Sequence, residues 1–203
     1  MPDFLPAELQ ERAILRARLR RLRAELPARE VEVATPAANA RLLATPEFLK
    51  AQRIGAYVAV RGELDPATAL AAALATGKEV FLPRIGPDAT LHFLPWQTPI
   101  ALRRNRFGIP EPVAPDESAI APEDLDLVIV PLIGFHRDGI RLGSGGGYYD
   151  RCFAFRRNSL PRPRLAGFAY ALQECERLRA APWDVPLDLL VSEREVIRFD
   201  FDE

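Results

Sequence analysis

The sequence predicts an α/β fold in which a largely parallel sheet is covered by helices on both faces. An apolar run at residues 54–60 is followed by an alanine- and leucine-rich helical segment and then by a second apolar run at residues 80–83, which is the pattern of a βαβ unit. The run LDLVIV at residues 125–130 is apolar without alternation, as expected of a central strand buried on both faces.

The first element is predicted to be an amphipathic basic helix. Its apolar stripe recurs at helical spacing, at Leu15, Leu19, Leu22 and Leu26. A separate stripe carries the arginines Arg12, Arg16, Arg20 and Arg23. A helical stretch interrupted by proline follows over residues 37–49.

Turn and cap signals delimit the central elements. The strand at residues 54–60 runs into Arg61-Gly62-Glu63. Asp65-Pro66 has the pattern of an N-cap followed by proline at the first helical position, and the helix that begins there ends near Thr76-Gly77.

Four later segments predict further strands, at residues 91–94, 165–169, 189–191 and 196–199, the last as an antiparallel edge. The proline-rich residues 95–117 predict no element. No repeat or linker interrupts the chain, so we expect a single domain over residues 1–203.

The charge balance argues against a general polyanion-binding surface. Lys and Arg number 27 against 28 Asp and Glu, a net charge of −1, so we expect no nucleic-acid or membrane partner. The two cysteines, Cys152 and Cys175, form no metal-binding or disulfide pattern. Acidic residues interrupt the N-terminal segment, and no apolar run reaches membrane-spanning length, so we expect a cytoplasmic protein.

A glycine-rich segment beyond the central strand predicts an anion site. Residues 143–147 read GSGGG, and glycine lets the backbone approach phosphate oxygens closely. Arg141 can neutralise phosphate charge, and Asp150 offers the oxygen ligands that Mg²⁺ prefers. The segment is neither a Walker A loop nor a GxGxxG motif, and a flexible hairpin packed on Tyr148 and Tyr149 is the alternative.

The segment RLGSGGGYYDR at residues 141–151 resembles the signature of the 5-formyltetrahydrofolate cyclo-ligase family. Further matches to the family occur in the same order along the chain, at residues 12–16, 62–65, 80–84, 107–112 and 183–188. The resemblance implies a three-layer α/β/α Rossmann-like sandwich with a mostly parallel sheet, of the NagB/RpiA/CoA transferase-like type.

The implied reaction is the ATP- and Mg²⁺-dependent cyclisation of 5-formyltetrahydrofolate to 5,10-methenyltetrahydrofolate, with release of ADP and phosphate. In the family the formyl oxygen is thought to attack the γ-phosphate, and N10 then attacks the carbon of the phosphorylated imidate. The expected partners are these two small molecules, Mg²⁺ is the expected cofactor, ATP is a co-substrate, and we expect a monomer.

The resemblance also implies roles for individual residues. Catalytic roles fall to Arg141, Tyr148 and Tyr149. Nucleotide contacts fall to Arg12, Arg16, Arg141, Leu142, Gly143, Ser144, Gly145, Gly146, Gly147, Tyr148 and Tyr149. Folate contacts fall to Val58, Glu63, Ser144, Gly145, Gly146, Gly147 and Tyr148. Magnesium would be held by Asp150 and Asp184.

The chain departs from the family pattern at two positions. Arg12 stands where the family usually has lysine, and His136 stands where aspartate commonly follows Phe135. The change at Arg12 keeps the charge but alters its geometry. We give His136 no role.

Some of these residues also have simple structural interpretations. Glu63 could be a polar residue at a strand end, and Asp184 could cap a turn before Pro186. The arginines at positions 18, 20, 21 and 23 are expected to form a solvated helix face. Two other functions remain open: a binding module without turnover, and an enzyme such as a sugar-phosphate isomerase on a related sheet.

Overall fold

The computed structural model describes residues 6–87, 89–97, 101–158 and 162–199. The helices are α1 (Pro6–Ala24), α2 (Ala28–Leu43), α3 (Pro46–Lys50), α4 (Ala67–Ala75) and α5 (Tyr148–Cys152). The strands are β1 (Arg53–Gly55), β2 (Glu79–Ile85), β3 (Leu91–Trp96), β4 (Leu102–Arg104), β5 (Pro110–Pro112), β6 (Leu127–Pro131), β7 (Gly134–Phe135), β8 (Arg141–Leu142), β9 (Arg164–Phe168), β10 (Leu189–Val191) and β11 (Val196–Arg198).

The main sheet has seven strands in the order β11-β10-β9-β6-β1-β2-β3. The five inner strands, β2, β1, β6, β9 and β10, are parallel to one another. The two edge strands are antiparallel, β3 to β2 and β11 to β10. The predicted parallel sheet is confirmed, and so is the antiparallel edge strand near the C-terminus.

The central strand β6 packs against both layers of helices. Leu127 and Ile129 belong to a core that includes α2, α3 and α4, whereas Val128 and Val130 belong to a core on the opposite face, where α5 packs. Because successive side chains of a strand point to opposite faces, a strand buried on both faces is apolar throughout. These layers confirm the predicted α/β/α sandwich.

Strand β1 is shorter than the apolar run 54–60 predicts, since it ends at Gly55. The amide of Ala56 still donates to the Phe81 carbonyl at 2.9 Å, and the chain then leaves the sheet. Tyr57 and Leu64 are nevertheless buried, and the Tyr57 hydroxyl donates to the Leu64 carbonyl. The apolar residues after Gly55 therefore reflect burial beyond the sheet, and the predicted strand end was wrong for that reason.

The proline-rich segment contains a hairpin, β4–β5, that the sequence did not predict. Asn105 closes it: its side-chain oxygen accepts from the amides of Phe107 and Ile109, at 2.8 and 3.1 Å, and its amide group donates to Glu111 at 2.7 Å. The predicted helical stretch at residues 37–49 is the end of α2 and all but the last residue of α3, with a break at Thr45.

Candidate active site

A pocket of about 770 Å³ opens where the carboxyl ends of β1, β2 and β6 meet. Residues that follow β1 line one wall, the β4–β5 hairpin lines a second, and the segment 143–150 lines a third. This is the edge of a parallel sheet at which α/β proteins bind ligands. The glycine-rich segment therefore lies where the sequence predicts it.

The first helix fixes the glycine-rich loop from behind. Arg16 donates through Nε to the Gly143 carbonyl at 2.8 Å, and Arg20 donates to the Ser144 carbonyl at 2.9 Å. Burial and the like charges of Arg12 and Arg20 lower the pKa of Arg16. Several guanidinium groups are thus gathered beside a loop of exposed peptide groups, which favours an anion at this position.

Glycine is required within the loop by its backbone conformation. Gly145 has a φ of +108° and Gly147 a φ of +66°, values that side-chain-bearing residues rarely adopt. Gly147 immediately precedes α5. A side chain at Gly146 or Gly147 would also collide with Tyr148 or Arg151, since an added Cβ would lie 2.5 Å from the Tyr148 ring or 2.9 Å from the Arg151 guanidinium.

Arg141 and Asp150 form an ion pair at the base of the loop. Arg141 is only 3% exposed, and its terminal nitrogen donates to Asp150 Oδ1 at 2.7 Å. The Val185 amide donates to the same oxygen at 3.1 Å. The Arg141 Nε is buried and has no hydrogen-bond partner in the described part of the chain. The pair leaves a guanidinium with unused donor capacity on the pocket wall.

Two tyrosines complete this wall. The Arg141 guanidinium lies 5.9 Å from the Tyr149 ring centre, and Tyr149 stacks on Phe153 at 6.2 Å. Burial raises the pKa of Tyr149, so its hydroxyl stays protonated at neutral pH. The Arg151 guanidinium lies over the Tyr148 ring, 5.2 Å from the ring centre. Both rings therefore supply apolar walls, and Tyr149 can donate a hydrogen bond but not act as a base.

Glu63 faces the glycine-rich loop from the opposite wall. A turn closes from the Glu63 amide to the Val60 carbonyl at 3.1 Å, with positive φ at both Arg61 and Gly62. The Glu63 carboxylate accepts from the Val60 amide at 3.1 Å. Burial is the main cause that raises the pKa of Glu63. Val58 lies beside it on the pocket wall.

Arg12 and Asp184 form a second ion pair behind the loop. The guanidinium donates to both oxygens of Asp184, at 2.8 and 3.2 Å, and also to the Arg179 carbonyl at 3.0 Å. The Ala181 amide donates to Asp184 at 2.9 Å. Since the Val185 amide bonds Asp150, the segment that carries Asp184 is adjacent to the first ion pair.

The pocket wall contains most of the residues that the sequence singled out. These are Val58, Glu63, Arg141, Gly143, Ser144, Gly146, Gly147, Tyr148, Tyr149 and Asp150. Arg12, Arg16, Leu142, Gly145 and Asp184 do not line it. The Leu142 side chain is fully buried in a small core with Leu19 and Ile133, so only its backbone is left for a ligand.

The predicted solvated face of α1 is wrong for Arg23, and Arg20 is exposed as predicted but also contacts the loop. Arg20 binds the glycine-rich loop, and Arg23 is only 6% exposed and donates to the Arg61 carbonyl at 3.2 Å. Both line the pocket. The spacing 12, 16, 20, 23 places all four arginines on one face, because residues three and four apart are neighbours on a helix. From this spacing, Arg20 and Arg23 could have been predicted to lie on the same side of α1 as Arg12 and Arg16.

No group of three or more His, Cys, Asp or Glu side chains able to hold a metal occurs within the described residues. This bears on the two predicted metal ligands. Both hydrogen bonds recorded for Asp150 use Oδ1, whereas both oxygens of Asp184 are engaged by Arg12. Mg²⁺ is commonly held by one or two carboxylates together with substrate phosphates, so Asp150 fits such a ligand as it stands.

A sequence model of the 5-formyltetrahydrofolate cyclo-ligase family matches residues 8–193. The chain belongs to this family. It is thus an enzyme of a ligase family, and the resemblance predicted from the sequence is confirmed.

Relatives from several organisms match nearly the whole chain. A 5-formyltetrahydrofolate cyclo-ligase of Haemophilus influenzae is 33% identical over 186 residues, which cover 90% of this chain and 98% of the relative. The cyclo-ligase of Escherichia coli is 32% identical over 178 residues, which cover 87% and 96%.

Solved structures of the cyclo-ligase family share the fold. The 5,10-methenyltetrahydrofolate synthetase of Aquifex aeolicus superimposes with a TM-score of 0.79 at 32% identity, covering 95% of this chain and 94% of that one. The synthetase of Mycoplasma pneumoniae gives 0.71 at 26% identity, covering 90% and 99%. Among the described residues, no helix is both long and apolar enough to span a membrane.

Proposed function

We propose that the chain catalyses the ATP- and Mg²⁺-dependent cyclisation of 5-formyltetrahydrofolate to 5,10-methenyltetrahydrofolate. The observation that carries the proposal is a single pocket with a phosphate-type wall, formed by Arg141 and the glycine-rich loop, and a facing wall that contains Val58 and Glu63. Such a pocket suits a reaction in which a nucleotide and a second, planar substrate must meet.

The chemistry requires activation of a weak electrophile. The formamide nitrogen donates into the carbonyl, so N10 does not attack the formyl carbon directly. Attack of the formyl oxygen on the γ-phosphorus breaks the bond to ADP and yields a phosphorylated imidate. N10 then attacks the imidate carbon and loses its proton, and the former formyl oxygen leaves as phosphate.

On the nucleotide side, the backbone amides of the glycine-rich loop and the Arg141 guanidinium would bind the phosphate chain. Arg141 is held by its ion pair with Asp150, so its orientation is set before the ligand arrives. Pre-oriented donors stabilise the charge of a transferring phosphoryl group without reorganising. Arg16 would add charge from behind the loop, and Arg12 is a further candidate.

On the folate side, Glu63 would accept hydrogen bonds from pterin N–H groups, with Val58 beside the ring. Tyr148 and Tyr149 would wall the reacting centre. Both rings are partly buried against the core beneath the pocket, and such walls would exclude water that would otherwise hydrolyse the phosphorylated intermediate. The apolar bodies of both rings and the protonated Tyr149 hydroxyl suit this role.

Magnesium would neutralise phosphate charge and order the phosphate chain. Asp150 is the residue whose surroundings fit this ion best, because its second oxygen carries no recorded hydrogen bond. Asp184 stays a candidate that requires its pair with Arg12 to open. In the structure both Asp184 oxygens bond Arg12, so Asp184 positions that guanidinium.

The decisive test mixes purified protein with 5-formyltetrahydrofolate and Mg-ATP and follows the ultraviolet absorbance band of the methenyl product. Product formation that requires both ATP and Mg²⁺ is expected. Absence of product with folate substrates of every glutamate chain length, together with retained substrate binding, would instead identify a binding module. We also propose a single-domain, monomeric, cytoplasmic enzyme, which size-exclusion chromatography and cell fractionation would test.

A further inference from the structure

Arg23 is a buried charged residue of the pocket wall to which the cyclo-ligase reaction gives no role. Its guanidinium makes one hydrogen bond, to the Arg61 carbonyl at 3.2 Å, and its Nε is buried without a partner in the described part of the chain. Burying a guanidinium without full pairing is costly, because the charge loses its hydration. An apolar residue would fill the same space without this cost, so packing alone does not account for a guanidinium here.

The neighbour of Arg23 on the pocket wall is Glu63. Each charge influences the pKa of the other, although no ion pair joins these two described residues. The Glu63 carboxylate is instead bonded to the Val60 amide. The cation is buried and the anion half-buried, both line the same cavity, and both are anchored on one turn, through the Arg61 carbonyl and the Val60 amide.

The ligand that satisfies both charges has a hydrogen-bond acceptor next to a donor on one rigid edge. A 2-amino-4-oxopyrimidine ring has this edge, since its carbonyl oxygen O4 adjoins N3–H. We infer that Arg23 donates to O4 of the pterin while Glu63 accepts from N3–H, so that Arg23 selects 4-oxo over 4-amino pterins. The inference rests on the proposed function and adds a specificity-determining residue to it.

The position of Arg23 favours the ring over the glutamate tail. Arg20, one helical turn earlier, is exposed and bonds the glycine-rich loop, whereas Arg23 is nine-tenths buried. The pterin ring is neutral and planar and can enter a desolvated site, but a tail of carboxylates must reach solvent. A 4-amino group would place a second donor against the guanidinium and leave both unpaired.

The test replaces Arg23 by methionine, which keeps an unbranched apolar stem and removes the charge and the hydrogen-bond donors. Binding of 5-formyltetrahydrofolate and of its 4-amino counterpart is measured by equilibrium titration without ATP. Wild type is expected to prefer the 4-oxo compound. Arg23→Met should lose the part of that preference that Arg23 supplies and keep the part that Glu63 supplies through N3–H, with folate affinity falling by about 10- to 100-fold, the range for a hydrogen bond to a charged group. The KM for ATP should not change.

Arg21→Met is the matched control, because Arg21 is exposed on the same helix and pairs only with Glu25 within the described residues. It should leave both affinities unaltered. Thermal unfolding of each variant reports on folding. Arg23→Gln carries the same test should Arg23→Met fail to fold, because its side-chain amide can donate to O4 or accept from a 4-amino group and so removes the selection.

Two results would overturn the inference. One is an unchanged preference for the 4-oxo compound in a folded Arg23 variant. The other is an affinity loss that disappears with a substrate lacking the glutamate, which would place Arg23 on the tail. Failure of the proposed function is distinguishable, because it shows as absence of product with wild-type protein, whereas the inference is tested by binding titrations that contain no ATP.

Discussion

Arg141 and Asp150 are joined by a 2.7 Å ion pair that links the strand before the glycine-rich loop to the short helix after it. The Val185 amide reaches the same carboxylate oxygen at 3.1 Å. The two ends of the glycine-rich loop and a third segment, 35 residues further along the chain from Asp150, thus meet at one carboxylate. A phosphate chain bound by the loop would therefore meet the Arg141 guanidinium and the Asp150 carboxylate together.

Replacing Asp150 by asparagine should weaken the use of Mg²⁺. The amide keeps the shape and an acceptor for the Val185 N–H, but it loses the negative charge that attracts the ion. We expect the Mg²⁺ concentration for half-maximal activity to rise by about tenfold or more, the order seen when groups around a metal are altered. Asp138→Asn, at an exposed turn, is the control. An unaltered Mg²⁺ dependence would remove Asp150 from the metal site.

Replacing Arg141 by alanine should reduce kcat strongly. Because the change also removes one partner of a buried ion pair, urea denaturation of the variant is measured alongside, and kcat is compared under conditions in which the variant is folded. Arginines that stabilise a transferring phosphoryl group contribute roughly 10³–10⁵ in rate, and we expect a loss in that range. Arg137→Ala is the control, because Arg137 is exposed and binds Glu174 and Glu195 away from the pocket. A kcat reduction of less than about tenfold would limit Arg141 to packing or weak binding.

Breaking the Arg12–Asp184 pair should destabilise the fold without any ligand present. Both side chains are more than nine-tenths buried, and removing one partner of a buried pair costs about 3–5 kcal/mol. Arg12→Ala should therefore lower the free energy of unfolding by that order, measured by urea denaturation. Asp184→Asn should also destabilise the ligand-free protein. If it instead impaired only Mg²⁺-dependent activity, Asp184 would be a metal ligand and not the partner that positions Arg12.

Folate binding should depend on pH through Glu63. Burial raises the pKa of its carboxyl above the ordinary 4.5, and the protonated form cannot accept from pterin N–H groups. The KM for 5-formyltetrahydrofolate should therefore rise as pH falls through the raised pKa. Glu63→Gln should show a high KM that no longer changes over this window. Persistence of the wild-type pH profile in the variant would assign the titration to another group.

The raised pKa of Glu63 affects stability in the opposite direction from folate binding: low pH weakens binding but favours the folded state. The folded protein holds a proton on Glu63 at pH values where the unfolded chain has released it. The contribution of Glu63 to the free energy of unfolding should thus fall as pH rises from about 4.5 through the raised pKa. Comparing urea denaturation of wild type and Glu63→Gln across this range isolates the effect, and parallel curves would contradict it.

The sequence predicted the sheet well wherever burial and pairing coincide. The run at residues 125–130 gave the central strand β6, because a strand covered on both faces must be apolar throughout. The run at 54–60 misled at its end, since Tyr57 is buried outside the sheet. The β4–β5 hairpin was not predicted because its strands carry no apolar alternation. Hydrogen bonds of the Asn105 side chain close it instead.

The sequence predicted the part of the site that is local in sequence and missed contacts between distant segments. Loop glycines and their flanking charges are adjacent in sequence, so their motif predicts a local cluster. The contacts from α1 are not local: Arg20 reaches Ser144, and Arg23 reaches Arg61. Which helix arginines meet solvent depends on how α1 packs against the loop, and composition alone does not specify that packing.

The central claim concerns where the phosphate chain binds. A crystal structure with Mg²⁺ and a non-hydrolysable ATP analogue tests it most directly. We predict that the triphosphate lies against residues 143–147, with Arg141 donating to it and the metal bound to Asp150. A triphosphate bound at any other surface, with this loop left free of ligand, would contradict the account.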